Sequence, residues 1–199
     1  MREFVKALAR GVATVRVLPT LMWFFIQSRT FGEDKALERA TQRLSTVPGV
    51  GGDYVRRAFL TRALAFCDKT ATVQFGTLFS QQGARLDANV YVGPYCHLGL
   101  VHLERDVLLA AGVHIPSGGA THGTGDVDRP IRDQPGRRTL VRIGEGTWVG
   151  SAAVILADVG RHSVVGAGSV VTTPIPDFVV AAGVPAKVIR SRRTEPAGA

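Results

Sequence analysis

Aliphatic residues recur at every sixth position through most of the second part of the chain. They fall at Leu86, Val92 and Leu98, at Leu103, Leu109 and Ile115, at Ile143, Val149 and Ile155, and at Val159, Val165 and Val171. The step becomes seven from Phe79 to Leu86, five from Leu98 to Leu103 and four from Ile155 to Val159. A small residue often follows the aliphatic one, as in Val92-Gly93, Leu98-Gly99, Leu109-Ala110, Ile143-Gly144, Val149-Gly150 and Val165-Gly166. Such a period fits neither the 3.6 of a helix nor the alternation of a hairpin meander. It predicts a prism whose flat faces are short parallel strands, each sending one aliphatic side chain inward, with the small residue turning the corner. Stacked coils of three faces then bury one continuous aliphatic column. No helical stretches separate these strands, which disfavours a doubly wound α/β sheet.

Ahead of the repeat the pattern turns helical. From Met1 to about Leu18, Phe4, Val5, Leu8, Val12, Val15 and Leu18 gather on one side of a helix, with Arg2, Glu3, Lys6, Arg10 and Arg16 on the other. Pro19 is expected to break or kink it. That leaves Leu21-Met22-Trp23-Phe24-Phe25-Ile26 as an apolar patch far shorter than the ~20 residues of a membrane span. No small-residue cleavage site follows, which argues against a secretory signal. Two readings of residues 1–26 stay open. One is a basic amphipathic helix with a Trp-Phe-Phe wedge on an anionic membrane surface. The other is a helix packed on its own domain or on a partner subunit. Glu33–Leu44 reads as a second helix, Pro48 to Gly52 as a break and Tyr54–Phe66 as a third helix. The expected organisation is an N-terminal helical segment (1–66), a solenoid (67–190) with a loop insertion at 116–140, and a flexible tail (191–199).

Composition supports this division. The 199 residues, 45% of them hydrophobic and 20% charged, suffice for one domain with a sizeable core and exclude wholesale disorder. Of 26 valines, 18 lie between Val90 and Arg190, beside abundant glycine, as many short strands require. Cys67 and Cys96 belong to no CxxC pair and cannot make a disulfide scaffold. The net charge of +8 invites a nucleic-acid partner until it is divided. Residues 1–66 hold 11 Lys+Arg against 5 Asp+Glu, whereas residues 67–199 hold 13 against 11. The excess belongs to the helices, and no nucleic-acid partner is expected.

Three blocks in order carry the most distinctive pattern: Ile143-Gly-Glu-Gly-Thr-Trp-Val-Gly-Ser151, Val165-Gly-Ala-Gly-Ser-Val-Val-Thr172 and Ala181-Ala-Gly-Val-Pro-Ala-Lys-Val-Ile-Arg190. The stretch from about Val73 to Arg190 resembles the hexapeptide-repeat acyltransferases, in particular the maltose/galactoside O-acetyltransferase and xenobiotic acetyltransferase group. The resemblance implies a mainly β fold, a left-handed parallel β-helix, here behind an N-terminal α-helical segment that it does not cover. It also implies acetyl-CoA as co-substrate, no metal, and a homotrimer with sites between adjacent subunits.

Between Pro116 and Leu140 the repeat is interrupted, and a loop this long in a periodic solenoid is functional or disordered. It contains His122 in the small-residue setting Ala-Thr-His-Gly. Acyl transfer from a thioester to a hydroxyl needs one proton removed from a poor nucleophile, and histidine suits that task near neutral pH. In the resembled family a loop histidine in this context is the general base, and His122 matches it, with Gly123 where the family usually has proline. By the same resemblance Ser151 meets the thioester end of the donor, its backbone N–H serving as an oxyanion donor. Ala167 and Thr172 match contacts along the pantetheine and nucleotide, and Lys187 and Arg190 match cations near the phosphates. Thr173 stands where the family often has lysine. Trp148 either shields the donor or is structural. Phe75-Gly-Thr-Leu-Phe-Ser80 corresponds to an acceptor-contacting stretch, with Ser80 as its candidate. Asp126, Asp128, Arg129 and Arg132 either read the acceptor or order the loop by pairing.

The expected function is transfer of an acetyl group from acetyl-CoA to a hydroxyl of a sugar or of a glycan or glycolipid precursor, in the cytoplasm or at the inner membrane face. Two rivals remain at this level. A gamma carbonic anhydrase-like enzyme on the same solenoid would hold zinc through three histidines, for which His97, His102 and His114 are candidates. A non-catalytic, membrane-recruited solenoid scaffold would need none of this chemistry. His162, in the turn Gly160-Arg-His-Ser163, is expected to be solvated.

Overall fold

The computed structural model describes residues 2–193, with side chains from residue 7 onward. The roles expected of the side chains of residues 1–6, and a tail over 194–199, lie outside the described residues. Residues 66–191 form a left-handed parallel β-helix of about six coils, as the six-residue period predicts. Its first face stacks Phe66–Cys67, Arg85–Leu86, Val101–Leu103 and Val141–Ile143. The second stacks Thr72–Val73, Tyr91–Val92, Leu108–Leu109, Trp148–Val149, Val164–Val165 and Val179–Gly183. The third stacks Leu78–Phe79, His97–Leu98, His114–Ile115, Val154–Ile155 and Val170–Val171. The inward residues are those the period selects, coil by coil, from Cys67, Val73 and Phe79 through Leu86, Val92 and Leu98 to Val159, Val165 and Val171, all of them buried.

Close stacking explains the small corner residues. A Cβ on Gly150 would lie 2.5 Å from the backbone nitrogen of Ala167 in the next coil, so no side chain fits there. Buried hydroxyls tie other corners together: Thr77 Oγ1 donates to the Gly93 carbonyl (2.8 Å) and Thr147 Oγ1 to that of Gly160 (2.7 Å). Ser163 Oγ donates to the Pro176 carbonyl at 2.8 Å.

Open solenoid ends expose both an apolar column and unpaired strand edges, and at each end here further chain packs on part of them. At the far end Ala186–Ser191 turns back antiparallel on Val179–Gly183. Arg192 continues it, its backbone N–H donating to the Phe178 carbonyl at 2.7 Å, and Arg193 lies over the Phe178 ring. At the near end sit three helices, α1 (Arg2–Phe31), α2 (Glu33–Ser45) and α3 (Gly49–Ala63). Leu37, Leu44, Phe59 and Leu60 of α2 and α3 continue the core above Val73 and Phe79. Asp34 accepts from the Gln82 N–H (2.9 Å), and the Gly76 N–H donates to the Ser45 carbonyl (2.9 Å). Arg56 locks the joint. It is 3% exposed; its Nε donates to the Val73 carbonyl (2.8 Å), Nη1 to that of Val47 (2.7 Å), and Nη2 to Asp53 (2.6 Å). Burial lowers its pKa from the ordinary value, opposed by the hydrogen bond and charge of Asp53.

Four expectations fail in this helical cap. α3 begins at Gly49, because Pro48 is its N-cap and the glycines form its first turn. Pro19 does not end α1, which runs unbroken for 30 residues. Ala13 and Val17 before the proline, and Leu21 and Phe24 after it, are buried against the neighbouring helices, while Pro19 itself is exposed. Packing on both sides therefore outweighs the one lost hydrogen bond. The apolar run is consequently not short: Ala7–Phe31 is 25 residues, long and apolar enough by length and composition to cross a membrane. The sequence-derived stripe is also displaced. Leu8, Val12, Val15 and Leu18 are exposed, and the face that packs on the cap is Ala13, Val17, Leu21 and Phe24.

Candidate active site

The 116–140 excursion leaves the solenoid after Ile115 on the third face and returns at Val141 on the first, so it projects from the edge between them. Ser117 and Gly118 start it in left-handed conformations (φ 73° and 87°). The outgoing and returning arms pair: the Thr139 N–H donates to the Ser117 carbonyl (2.8 Å) and the Arg137 N–H to that of Ala120 (2.7 Å). Gln134, nearly buried, organises the tip. Its Nε2 donates to the carbonyls of Asp126 (2.7 Å) and Arg129 (2.8 Å), while its Oε1 accepts from the Asp126 N–H (3.1 Å). Asp126 also caps its own turn by accepting from the Asp128 N–H at 3.0 Å. Loop order thus rests on a glutamine and backbone pairing: among the described residues Asp126, Asp128, Arg129 and Arg132 form no ion pair with one another, and Arg132 instead makes an exposed contact with its neighbour Asp133 at 3.8 Å. Nothing in the sequence pattern marks Gln134, a lone polar residue in a polar loop.

His122 sits exposed on the outgoing arm of this ordered loop. Gly123 beside it is required by space, since a Cβ there would lie 2.7 Å from the Pro135 carbonyl oxygen. Where proline was expected, this chain has the one residue that lets the two arms meet.

The other candidates fall on different edges. Ser151 and Ala167 are exposed at the corner between the second and third faces, in successive coils. The Ser151 carbonyl accepts from the Gly168 N–H at 2.8 Å. Ala182 continues that edge below Gly166, and Lys187 pairs with Ala182 across the terminal hairpin, so Ser151, Ala167 and Lys187 follow one line of small residues. Arg190 pairs with Val180 on the same hairpin. Trp148 stands half-exposed on the outer side of the second face, between Leu108 and Val164. Thr172, by contrast, lies just past the third face, on the edge from which the His122 loop departs. One chain therefore offers a histidine on one edge and a small-residue groove on the next.

Ser80 is partly exposed, but Thr77 and Phe79 of the same stretch are buried in the solenoid. Of the remaining histidines, His97 and His114 stack on the third face with ring centroids 6.0 Å apart. His102 lies on the first face, its Nε2 3.0 Å from Asp87. Of the three imidazoles considered for zinc, two are therefore neighbours and the third faces another side of the prism, and no cluster of metal-ligating side chains occurs among the described residues. His162 is exposed in its turn, stacked on Phe178 at 5.4 Å.

Residues 140–173 match the family described as the hexapeptide repeat of succinyl-transferase. The chain is 33% identical over 165 residues, 71% of its length and 83% of the relative's, to WbbJ of Escherichia coli K12, provisionally named a lipopolysaccharide biosynthesis O-acetyl transferase. A galactoside O-acetyltransferase of Escherichia coli K12 is 56% identical over 52 residues, about a quarter of each chain (25% and 26%). Among solved structures, a maltose O-acetyltransferase from Clostridium difficile 630 superposes with a TM-score of 0.68 at 21% identity, over 79% of this chain and 87% of that one. A galactoside acetyltransferase in complex with coenzyme A superposes with a TM-score of 0.63 at 25% identity, over 80% and 81%. Six-residue coils, an ordered histidine loop at one edge and this similarity across most of WbbJ lead to one conclusion: the chain belongs to the hexapeptide-repeat acetyltransferases.

Proposed function

We propose that the protein transfers an acetyl group from acetyl-CoA to a hydroxyl of a sugar or of a glycan or glycolipid precursor. The observation that carries this reading is the placement of His122, exposed on the one long excursion from the solenoid and held there by an internally ordered loop. The imidazole takes the proton of the acceptor hydroxyl as its oxygen attacks the thioester carbonyl. The Ser151 backbone N–H is assigned to the developing oxyanion. The carbon–sulfur bond then breaks, and the imidazolium returns its proton to the departing thiolate, so the enzyme ends as it began.

Donor binding is assigned to Trp148, Ser151, Ala167, Thr172, Lys187 and Arg190. The absence of side-chain bulk along Gly150-Ser151 and Gly166-Ala167 fits an extended pantetheine arm running against backbone, and Lys187 and Arg190 supply charge for phosphates. Ser80 is assigned to the acceptor side. Because His122 and Ser151 occupy different edges of the prism, a complete site is proposed to form between adjacent subunits of a homotrimer. A cytoplasmic location follows from the donor. The acceptor class rests on the sugar-directed names of the relatives. His122→Ala is expected to lower turnover by at least about a hundredfold, with the oligomer unchanged by sedimentation. Near wild-type turnover in that variant, measured as coenzyme A release, would sink the mechanism.

A further inference from the structure

α1 has two apolar faces, and only one is covered. Ala13, Val17, Leu21 and Phe24 pack on α2 and α3, while Leu8, Val12, Val15, Leu18, Met22 and Ile26 line the opposite side in solvent, each between 48% and 68% exposed. At 1.5 Å per residue the exposed stripe is about 27 Å long. A stripe of that extent marks a surface that docks.

Charge decides what docks. From Ala7 to Phe31 the helix contains no acidic residue, and its cations are Arg10, Arg16 and Arg29. On one flank Arg10 lines a cleft with Arg57 and Arg62 of α3 and Lys69 of the first coil. On the other flank Arg39 and Arg43 border the cleft beside Trp23. Of the acidic groups in the cap, Asp53 is bound by Arg56 and Asp34 by the Gln82 backbone, while the exposed Glu33 and Glu38 belong to α2 and not to α1. A second copy of this face would oppose cations to cations. A bilayer rich in anionic headgroups offers acyl chains to the stripe and phosphates to both flanks. We infer that the exposed face of α1 lies in the plane of an anionic membrane surface, with the two cationic clefts at headgroup level. The helix does not cross, because crossing would strip Val17, Leu21 and Phe24 from the cap they seal. The wedge is accordingly not Trp23-Phe24-Phe25, since Phe24 is core; it is the row from Leu8 to Ile26.

The inference is independent of the transferase reading, and its test uses neither donor nor acceptor. The full chain is floated with vesicles of phosphatidylcholine alone and of phosphatidylcholine containing about one-third phosphatidylglycerol. Binding to the anionic vesicles is expected to exceed that to neutral ones by about tenfold and to be released by high salt. The exposed double variant Val15→Glu/Met22→Glu is expected to stay unbound, and Arg62→Gln/Lys69→Gln to bind the anionic vesicles several-fold less. The inference is overturned by no flotation, by equal flotation with both vesicles, or by protein that resists alkaline carbonate extraction as a spanning segment would. It is equally overturned if Val15→Glu/Met22→Glu reduces the oligomer without vesicles, since a second copy would then own the face.

Discussion

Cys67 and Cys96 serve as core atoms, one in the first coil and the other beneath a corner of the second. Burial pushes the Cys67 thiol up to about 12 and that of Cys96 up to about 11. A raised folded-state pKa means the neutral thiol is favoured by folding. That stabilisation is complete below the exposed-thiol value of 9.0 and is lost as pH climbs towards 11 and 12. Native protein at pH 8 is therefore expected to resist iodoacetamide at both sites, by mass spectrometry, and to react at both in urea. Its melting temperature should fall on going from pH 9 to pH 11. At this scale the sequence is half legible. His122 stands out because nothing bulky surrounds it, and Val92 or Ile155 because the period points to them. Gln134, Thr147 and Ser163 do not, because what each contributes is a hydrogen bond to a carbonyl that only the folded loop or the next coil brings near.

Among the elements, α2 follows its sequence pattern almost to its ends, whereas α1 and α3 depart from theirs for one reason. Pro19 and the Gly49–Gly52 run are poor helix residues alone, and tertiary packing on either side settles their conformation. Gly52 has a positive role: a Cβ there would meet the Val47 carbonyl and the Arg56 guanidinium. The cap is thus built around Arg56 of α3, which donates to the first coil at Val73, to the end of α2 at Leu44 and Ser45, and to Val47 beyond it. Arg56→Ala is expected to destabilise the fold by ~3 kcal/mol, read as a shift in the urea midpoint, by leaving Asp53 and several buried carbonyls without partners. Arg56→Lys should recover only part, since an ammonium cannot span the same fork of acceptors.

At the scale of the whole molecule the candidate residues stand on edges: the His122 loop on one, and the Ser151–Ala167–Lys187 line on another. If each site combines one edge from each of two subunits, two inactive chains can repair one another. His122→Ala and Ala167→Trp, the second placing bulk in the groove, should each be inactive alone. Mixed equally and reassembled at random, they should regain about a quarter of wild-type turnover, because one site in four then pairs an intact histidine with an intact groove. A mixture that stays inactive would place both halves in one chain. The fold as a whole is legible because the six-step period survives every slip in register, but the edge on which each candidate residue stands is not, since it depends on which face each segment occupies. The 116–140 excursion has one more consequence. The coils on either side of it stack as though it were absent, with Arg142 opposite His102 and Trp148 opposite Leu108. Loop closure adds only about 0.6 kcal/mol for each doubling of length. This one segment can therefore be rewritten in length and sequence while the coils on either side of it are inherited unaltered.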